Sequence, residues 1–369
     1  MKLHRIGMTA AIAVTSLALA ACGNDNPTGT TAPEASGSEG GGSLSGTLKG
    51  AGSSAQESAM TAWIAGYQGV QPDVTVQYDS VGSGAGRENL IAGAVDFAGS
   101  DAALDEEERG KVTESCGPDG AMNIPVYISP VAVPFNLEGV DELNLKPDTL
   151  AQIFDQKITT WNDPKIAADT PDAELPDLKI TAVNRSDESG TTENFMEYLS
   201  AAAPDSWSYE ADKAWPVSGG EAAAQTTGVI EVVGSTNGAI GYADASAVGS
   251  ISSAKIGVGD EFVAFSPEAA AKVVDASEPS ESDVNGDLAL DLARDTTESG
   301  AYPIVLVSYH IVCHTYADQA KADLVKDFVG YVVSEEGQQA AADAAGSAPI
   351  SSDLRSKAEA SLELVKAGS

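Results

Sequence analysis

Three times along this chain a strand-like run passes through a short stretch of glycine and hydroxyl residues into a helical pattern. Residues 45–49 lead through Gly50-Ala51-Gly52-Ser53-Ser54 to a helix over 55–68, with Ala55, Ala59, Met60, Trp63, Ile64 and Tyr67 at helical spacing. Residues 74–78 lead through Val81-Gly82-Ser83-Gly84-Ala85-Gly86 to a helix running to about Ala92. Residues 178–183 lead through Asn184-Arg185-Ser186-Asp187-Glu188-Ser189-Gly190-Thr191-Thr192 to a helix from Glu193. A recurring strand–loop–helix unit predicts α/β layers with parallel strands. Ligands of such sheets bind outside the carboxyl ends of the strands. Each loop also offers backbone N–H groups at a helix start, where an anion is favoured. Arg185 stands at the entrance to the third loop, placed for a bidentate contact to a tetrahedral oxyanion.

An anion bound here would sit inside a strongly acidic protein. Against 55 Asp and Glu there are only 20 Lys and Arg, a net charge of −35. That excludes nucleic acid as a partner, because too few cations are present to neutralise phosphates along a strand. Diffuse attraction cannot draw an anion in; local dipoles and one or two placed cations must hold it.

Two extended segments divide the 369 residues. Residues 123–137 are β-branched and broken by Pro125, Pro130 and Pro134, and residues 302–312 form a second such run. Proline at those intervals argues against a central antiparallel strand of full length and suits a crossing between lobes. The expected division is residues 46–128 plus 308–369 as one lobe and 129–307 as the other, with a cleft between them. Residues 105–109 read as a solvated charged turn, and Ser54 to Glu57 as a capping box.

Residues 1–21 have a charged start, an Ala-rich apolar run and small residues before Cys22, the form of a secretory signal ending in a lipobox. Plain secretion with cleavage at a small-residue site is the alternative. Residues 22–45 then form a lipidated cysteine and a Gly/Ser/Thr-rich tether with little to bury. Export to an oxidising space makes a Cys116–Cys313 disulfide reasonable; two buried thiols are the alternative.

Six motifs match one family in order: Gly50-Ala51-Gly52-Ser53-Ser54, Val81-Gly82-Ser83-Gly84, Val95-Asp96-Phe97-Ala98-Gly99-Ser100-Asp101, Ile153-Phe154 with Trp161-Asn162-Asp163-Pro164, Arg185 to Thr192, and Gly238-Ala239-Ile240-Gly241-Tyr242. In these the chain resembles the PstS-type phosphate-binding proteins of bacterial ABC importers. The resemblance implies an α/β, two-lobed periplasmic-binding-protein fold of type II, each lobe a mostly parallel sheet flanked by helices. It implies capture of inorganic phosphate, hinge closure and delivery to the permease and ATPase subunits of an importer. It implies no catalysis, cofactor or metal. The protein would be held at the extracytoplasmic face of the cell membrane by the lipid on Cys22 (palmitate among its acyl chains) and by nothing else. Carried over position by position, the phosphate contacts fall on Ser54, Ala55, Ser83, Asp101, Arg185, Ser189, Gly190 and Thr191. Ala55 replaces an aromatic found in many relatives, yet its backbone N–H survives the change. Asp101 would accept the proton that phosphate keeps near neutral pH and that sulfate lacks.

Two other readings remain at this stage. A secreted phosphatase or other hydrolase would need a base beside a nucleophilic serine. Outside the leader the only histidines are His310 and His314, which flank Cys313 without a G-x-S-x-G context or a set of metal ligands and read as core or surface residues. Asp283-Val284-Asn285-Gly286-Asp287 departs from a calcium loop and reads as a turn. A receptor for another tetrahedral oxyanion is the second, and Asp101 weighs against fully deprotonated anions.

Overall fold

The computed structural model describes residues 44–368. The signal over 1–21, Cys22 and the tether up to residue 43 lie outside them. All three strand–loop–helix units form. Strand β1 (Gly46–Gly52) leads to helix α1 (Glu57–Val70), and β2 (Val74–Ser80) leads to α2 (Ser83–Ile91). Then follow β3 (Phe97–Ser100), α3 (Glu106–Cys116) and the long β4 (Ala121–Ala132). The chain continues through β5 (Phe135–Asn136) and α4 (Pro147–Phe154) to the third unit, β6 (Thr181–Arg185) and α5 (Gly190–Ala202). A fourth unit, not foreseen, is β7 (Glu221–Ala223) with α6 (Gln225–Ser235). Strands β8 (Ala239–Gly241), β9 (Ala243–Asp244) and β10 (Val305–Cys313) precede α7 (Gln319–Val333), α8 (Glu335–Ala345) and α9 (Ser352–Leu362).

Two sheets organise these elements. The first has the order β2-β1-β3-β10-β4-β9, and the second β5-β8-β6-β7. In the second, β6 is parallel to both neighbours, and only β5 runs against β8. The first sheet is parallel across β2-β1-β3 and antiparallel across β3-β10-β4-β9, so it is mixed rather than mostly parallel. The cause is the route of the chain. Strand β4 leaves the first sheet for β5 in the second, and β10 brings the chain back beside it, so the two must run in opposite directions.

Strand β4 forms despite its prolines. Pro125 faces Tyr309 at a register shift in β10, and Pro130 faces Val305 at the strand's end. On its other edge β4 meets β9 only at Val131 and Ala132, with a single bridge from Ile128 to Ala348. Missing N–H groups therefore fall where little of a ladder requires them, which the spacing of prolines alone does not reveal. The expected lobe boundaries at 128/129 and 307/308 fall inside β4 and β10.

One hydrophobic cluster runs through both sheets. Trp63 and Tyr67 of α1 pack with Phe97 and Phe328 under the first sheet, while Phe154, Phe195 and Tyr242 pack in the second. Trp63 also donates its ring N–H to the Gly337 carbonyl at 2.8 Å, fixing α1 against α8. A Cβ at Gly337 would lie 2.1 Å from the Tyr331 carbonyl oxygen, so only glycine lets the chain turn there from α7 into α8. Cys116 and Cys313 form a disulfide between the end of α3 and the end of β10. Both histidines are buried, and the 283–287 segment is a turn whose Asp287 accepts from Asn123.

Candidate functional site

Asp101 follows directly on β3 and is 2% exposed. Its carboxylate is met by four hydroxyls from four separate segments. Ser53 and Ser308 donate to Oδ1 at 2.5 and 2.8 Å; Thr191 and Ser83 donate to Oδ2 at 3.1 and 3.4 Å. An ionised carboxylate only accepts, so all four hydroxyls turn their hydrogens to it. The directions are fixed from behind. Ser53 Oγ already accepts from the Ala55 N–H at 3.0 Å, and Ser83 Oγ from the Asp101 N–H at 3.1 Å. A Cβ on Gly190 would lie 2.7 Å from Ser83 Oγ and 2.9 Å from Asp101 Cβ. The glycine is what lets the start of α5 close onto the first sheet.

Arg185 ends β6 and is 3% exposed. Its guanidinium forks onto Asp187, with Nε donating to Oδ1 at 2.8 Å and Nη2 donating to Oδ2. Asp187 also accepts from the Gln225 N–H at 2.9 Å. Burial would raise this carboxyl, but the hydrogen bonds and charge of Arg185 outweigh it and hold Asp187 below the usual carboxylate range. Gly82, at φ +96°, lies against the pair: a Cβ there would come within 2.7 Å of Asp187 Oδ2. The expected contact residue Arg185 is thus already oriented by a carboxylate two positions on.

Ser54 reaches the second sheet as well. Its hydroxyl lies 3.0 Å from Thr226 Oγ1 and accepts from the Thr226 N–H at 3.2 Å. The expected capping box does not form, because that hydroxyl is spent on α6. Gln56 occupies the N-cap position of α1 without a side-chain cap bond, and Glu57 instead accepts from Ser80 at 3.2 Å. Ser189 caps α5 by accepting from the Thr192 N–H. The starts of α1 and α2 on the first sheet therefore meet the starts of α6 and α5 on the second. Ser83, Asp101, Gly190 and Thr191 touch directly. Ala55 joins them through Ser53, while Ser54 and Arg185 meet the start of α6, one through Thr226 and the other through Asp187. Sequence reasoning missed Ser53, Asp187, Gln225, Thr226 and Ser308. Only Asp187 carried a signal, since a buried arginine needs a counter-charge close by.

A second polar cluster lies beside this one. Arg87, 2% exposed, pairs with Glu108 at 2.9 Å, donates to Ser100 at 3.0 Å, and reaches Glu193 of α5 at 3.5 Å. Lys213 lies 3.2 Å from both Glu108 and Glu188. The charged turn at 105–109 is therefore not simply solvated: Glu108 closes a capping box with Asp105 and is buried against Arg87. Burial pushes the Glu193 carboxyl up to about 7, opposed by Arg87 and reinforced by Glu197 and Glu108.

The model of the PBP superfamily domain matches residues 37–336. The phosphate-binding protein PstS 3 of Mycobacterium tuberculosis is 37% identical over 368 residues, covering 97% of this chain and 98% of the relative. PstS 2 of the same organism is 33% identical, covering 99% and 100%. The chain belongs to the PstS family. Solved structures agree on the fold. A high-affinity periplasmic phosphate-binding protein with phosphate bound superposes with a TM-score of 0.72 at 21% identity, over 85% of this chain and 93% of that one. A phosphate-binding protein from Stenotrophomonas maltophilia gives 0.64 at 20% identity, over 86% and 94%. The donor-rich contact between the two sheets is thus the candidate site of a PstS-family member, and the Arg87 cluster its neighbour.

Glu193 supplies a test of that neighbouring cluster. Its folded-state value of about 7 exceeds the ordinary 4.5, so the folded protein retains a proton that the unfolded chain has lost. Stability should fall as pH rises from about 4.5 to 7. Glu193→Gln should remove that descent and leave stability at pH 4 nearly unchanged. Urea unfolding at pH 4, 6 and 8 measures it; parallel curves for both proteins would show that Glu193 is ordinarily solvated.

Proposed function

We propose that this chain captures inorganic phosphate outside the cytoplasm and passes it to an ABC permease without chemical turnover. The observation that carries this reading is Asp101, an acceptor-only group ringed by donors in a protein of the PstS family. Phosphate near neutral pH has oxygens that accept and at least one proton to give. Its oxygens would take the N–H and hydroxyl donors of Ser54, Ala55, Ser83, Ser189, Gly190 and Thr191, together with the guanidinium of Arg185. Its proton would go to Asp101. Sulfate has none to give, so Asp101 would be left facing an anion, a buried charge without a partner. Sites that recognise one hydrogen can reject an analogue lacking it by roughly 10⁴–10⁵-fold. The Asp187 partner offsets part of the Arg185 charge, which leaves recognition to hydrogen bonds more than to net charge.

Residues 46–128 with 308–369, and residues 129–307, act in this reading as lobes that close on the ligand about the two crossings. The hydroxyl contacts between the first-sheet loops and the starts of α5 and α6 support it. Cys22, lipidated, would anchor the protein at the outer face of the membrane, with the tether spanning on the order of 25 Å.

Three measurements test the parts separately. Calorimetry on the ligand-stripped chain should give tight, stoichiometric phosphate binding and little for sulfate, and Asp101→Asn should narrow that difference at least about a hundredfold; equal affinities for both anions would falsify the phosphate assignment. Small-angle scattering should show the chain contracting when phosphate is added, and superimposable profiles would exclude closure. Cys22→Ala should release the protein from the membrane fraction into the medium; retention there would mean that something other than a lipid holds it.

A further inference from the structure

Behind Asp101 runs a line of polar groups that no ligand would touch. Ser308 Oγ, which donates to Asp101 Oδ1 at 2.8 Å, lies 2.7 Å from Gln56 Nε2. Gln56 Oε1 lies 3.1 Å from His310 Nε2. All four side chains are buried. The donor order follows from Asp101. An ionised carboxylate accepts, so the single Ser308 hydrogen must point to it. The Ser308 oxygen must then accept from the Gln56 amide nitrogen, which turns the amide oxygen towards His310. His310 must therefore carry its hydrogen on Nε2. The imidazole lies among Trp63, Phe97 and Phe328, and burial pushes its pKa down to about 3, so it remains neutral and holds that tautomer. Glycine at position 99 makes room for the line: a Cβ there would come within 2.7 Å of Gln56 Nε2.

We infer that Ser308, oriented by Gln56 and His310, is a positioning residue for anion selectivity, because with Ser53 it fills Asp101 Oδ1 with donors and so holds the carboxylate with Oδ2 as the edge that receives a ligand's proton. The inference rests on the phosphate reading above. Ser308 has its own oxygen already accepting from Gln56 Nε2, so its hydrogen cannot turn to Gln56 without stranding that buried donor. On Oδ2 the donors are longer, at 3.1 and 3.4 Å, and come from the helix starts that would also face the ligand. With the Ser308 donor removed, Oδ1 keeps only Ser53 and the carboxylate is free to turn. A carboxylate that turns from the cleft no longer confronts an anion that has no proton.

The test uses the full chain, stripped of bound phosphate, with phosphate and sulfate affinities measured by competition calorimetry. Ser308→Ala should lower the phosphate-to-sulfate ratio roughly tenfold or more, the scale of one hydrogen bond to a charged group. Ser308→Thr, which keeps the hydroxyl, should stay within about threefold of the parent. Gln56→Glu, close in shape but offering Ser308 an acceptor in place of a donor, should act like Ser308→Ala, and it decides the matter if the alanine variant does not fold. A folded Ser308→Ala or Gln56→Glu chain with the parent's ratio overturns the inference, as does a threonine variant that falls as far as alanine. Failure of the unaltered chain to bind phosphate is a separate outcome, visible before any variant is made, and it overturns the functional reading beneath this one.

Discussion

A buried carboxylate that is paired, among the described residues, with hydroxyls and no cation sets the terms for the rest of this structure. Asp101 is held by hydroxyls from the loop after β1, from the starts of α2 and α5, and from the middle of β10. Each of those segments has to arrive at one point with a donor free. That requirement explains why glycine stands at 82 and 190, where the loops of one sheet press on those of the other. It also explains why β3 ends where it does.

The neighbouring charges follow a different rule. Arg185 and Arg87 are both almost wholly buried, and each has carboxylates of its own: Asp187 for the first, Glu108 and Glu193 for the second. Breaking such a pair leaves a buried charge uncompensated, which costs about 3–5 kcal/mol. Arg87 therefore fixes geometry between the sheets through Glu193, and Arg185 orders the loops after β6 and β7 through Asp187, which also holds the Gln225 N–H. In a chain of net charge −35, local neutrality around each cation also leaves the candidate site without a strong field of its own.

The eight residues proposed as contacts lie on the three loops and at the end of β3, and the strands and helix starts of those loops were largely legible in the sequence, because small residues between a strand and a helix have few other uses. Partners that come from distant segments were not. Nothing in the spacing of Ser308 or Thr226 connects them with residues 53–54, and each is one hydroxyl among many. Ser54 read as a helix cap since a cap is the commonest use of serine before a helix; its bond to Thr226 exists only once the sheets face each other. The prolines of β4 misled for a related reason. Their cost depends on which edge of the strand is paired, and that is a property of the sheet.

The way the chain enters and leaves the second sheet has a mechanical consequence. Strand β4 departs and β10 returns side by side, with the Val131 N–H bonded to the Ile304 carbonyl at 2.7 Å where they part. Strand β9, sent back from the far side, clips onto β4 at Val131 and Ala132, and Tyr127 holds its Asp244 at 3.0 Å. The chain crossings thus gather at one corner, while the other contacts between the sheets are side-chain contacts. Crossings set side by side restrain sliding of one sheet past the other more than rotation about that corner, and the proposed closure would be a rotation of that kind. In such a rotation the hydroxyl contacts from Asp101 to Thr191 and from Ser54 to Thr226 would be the ones made and broken.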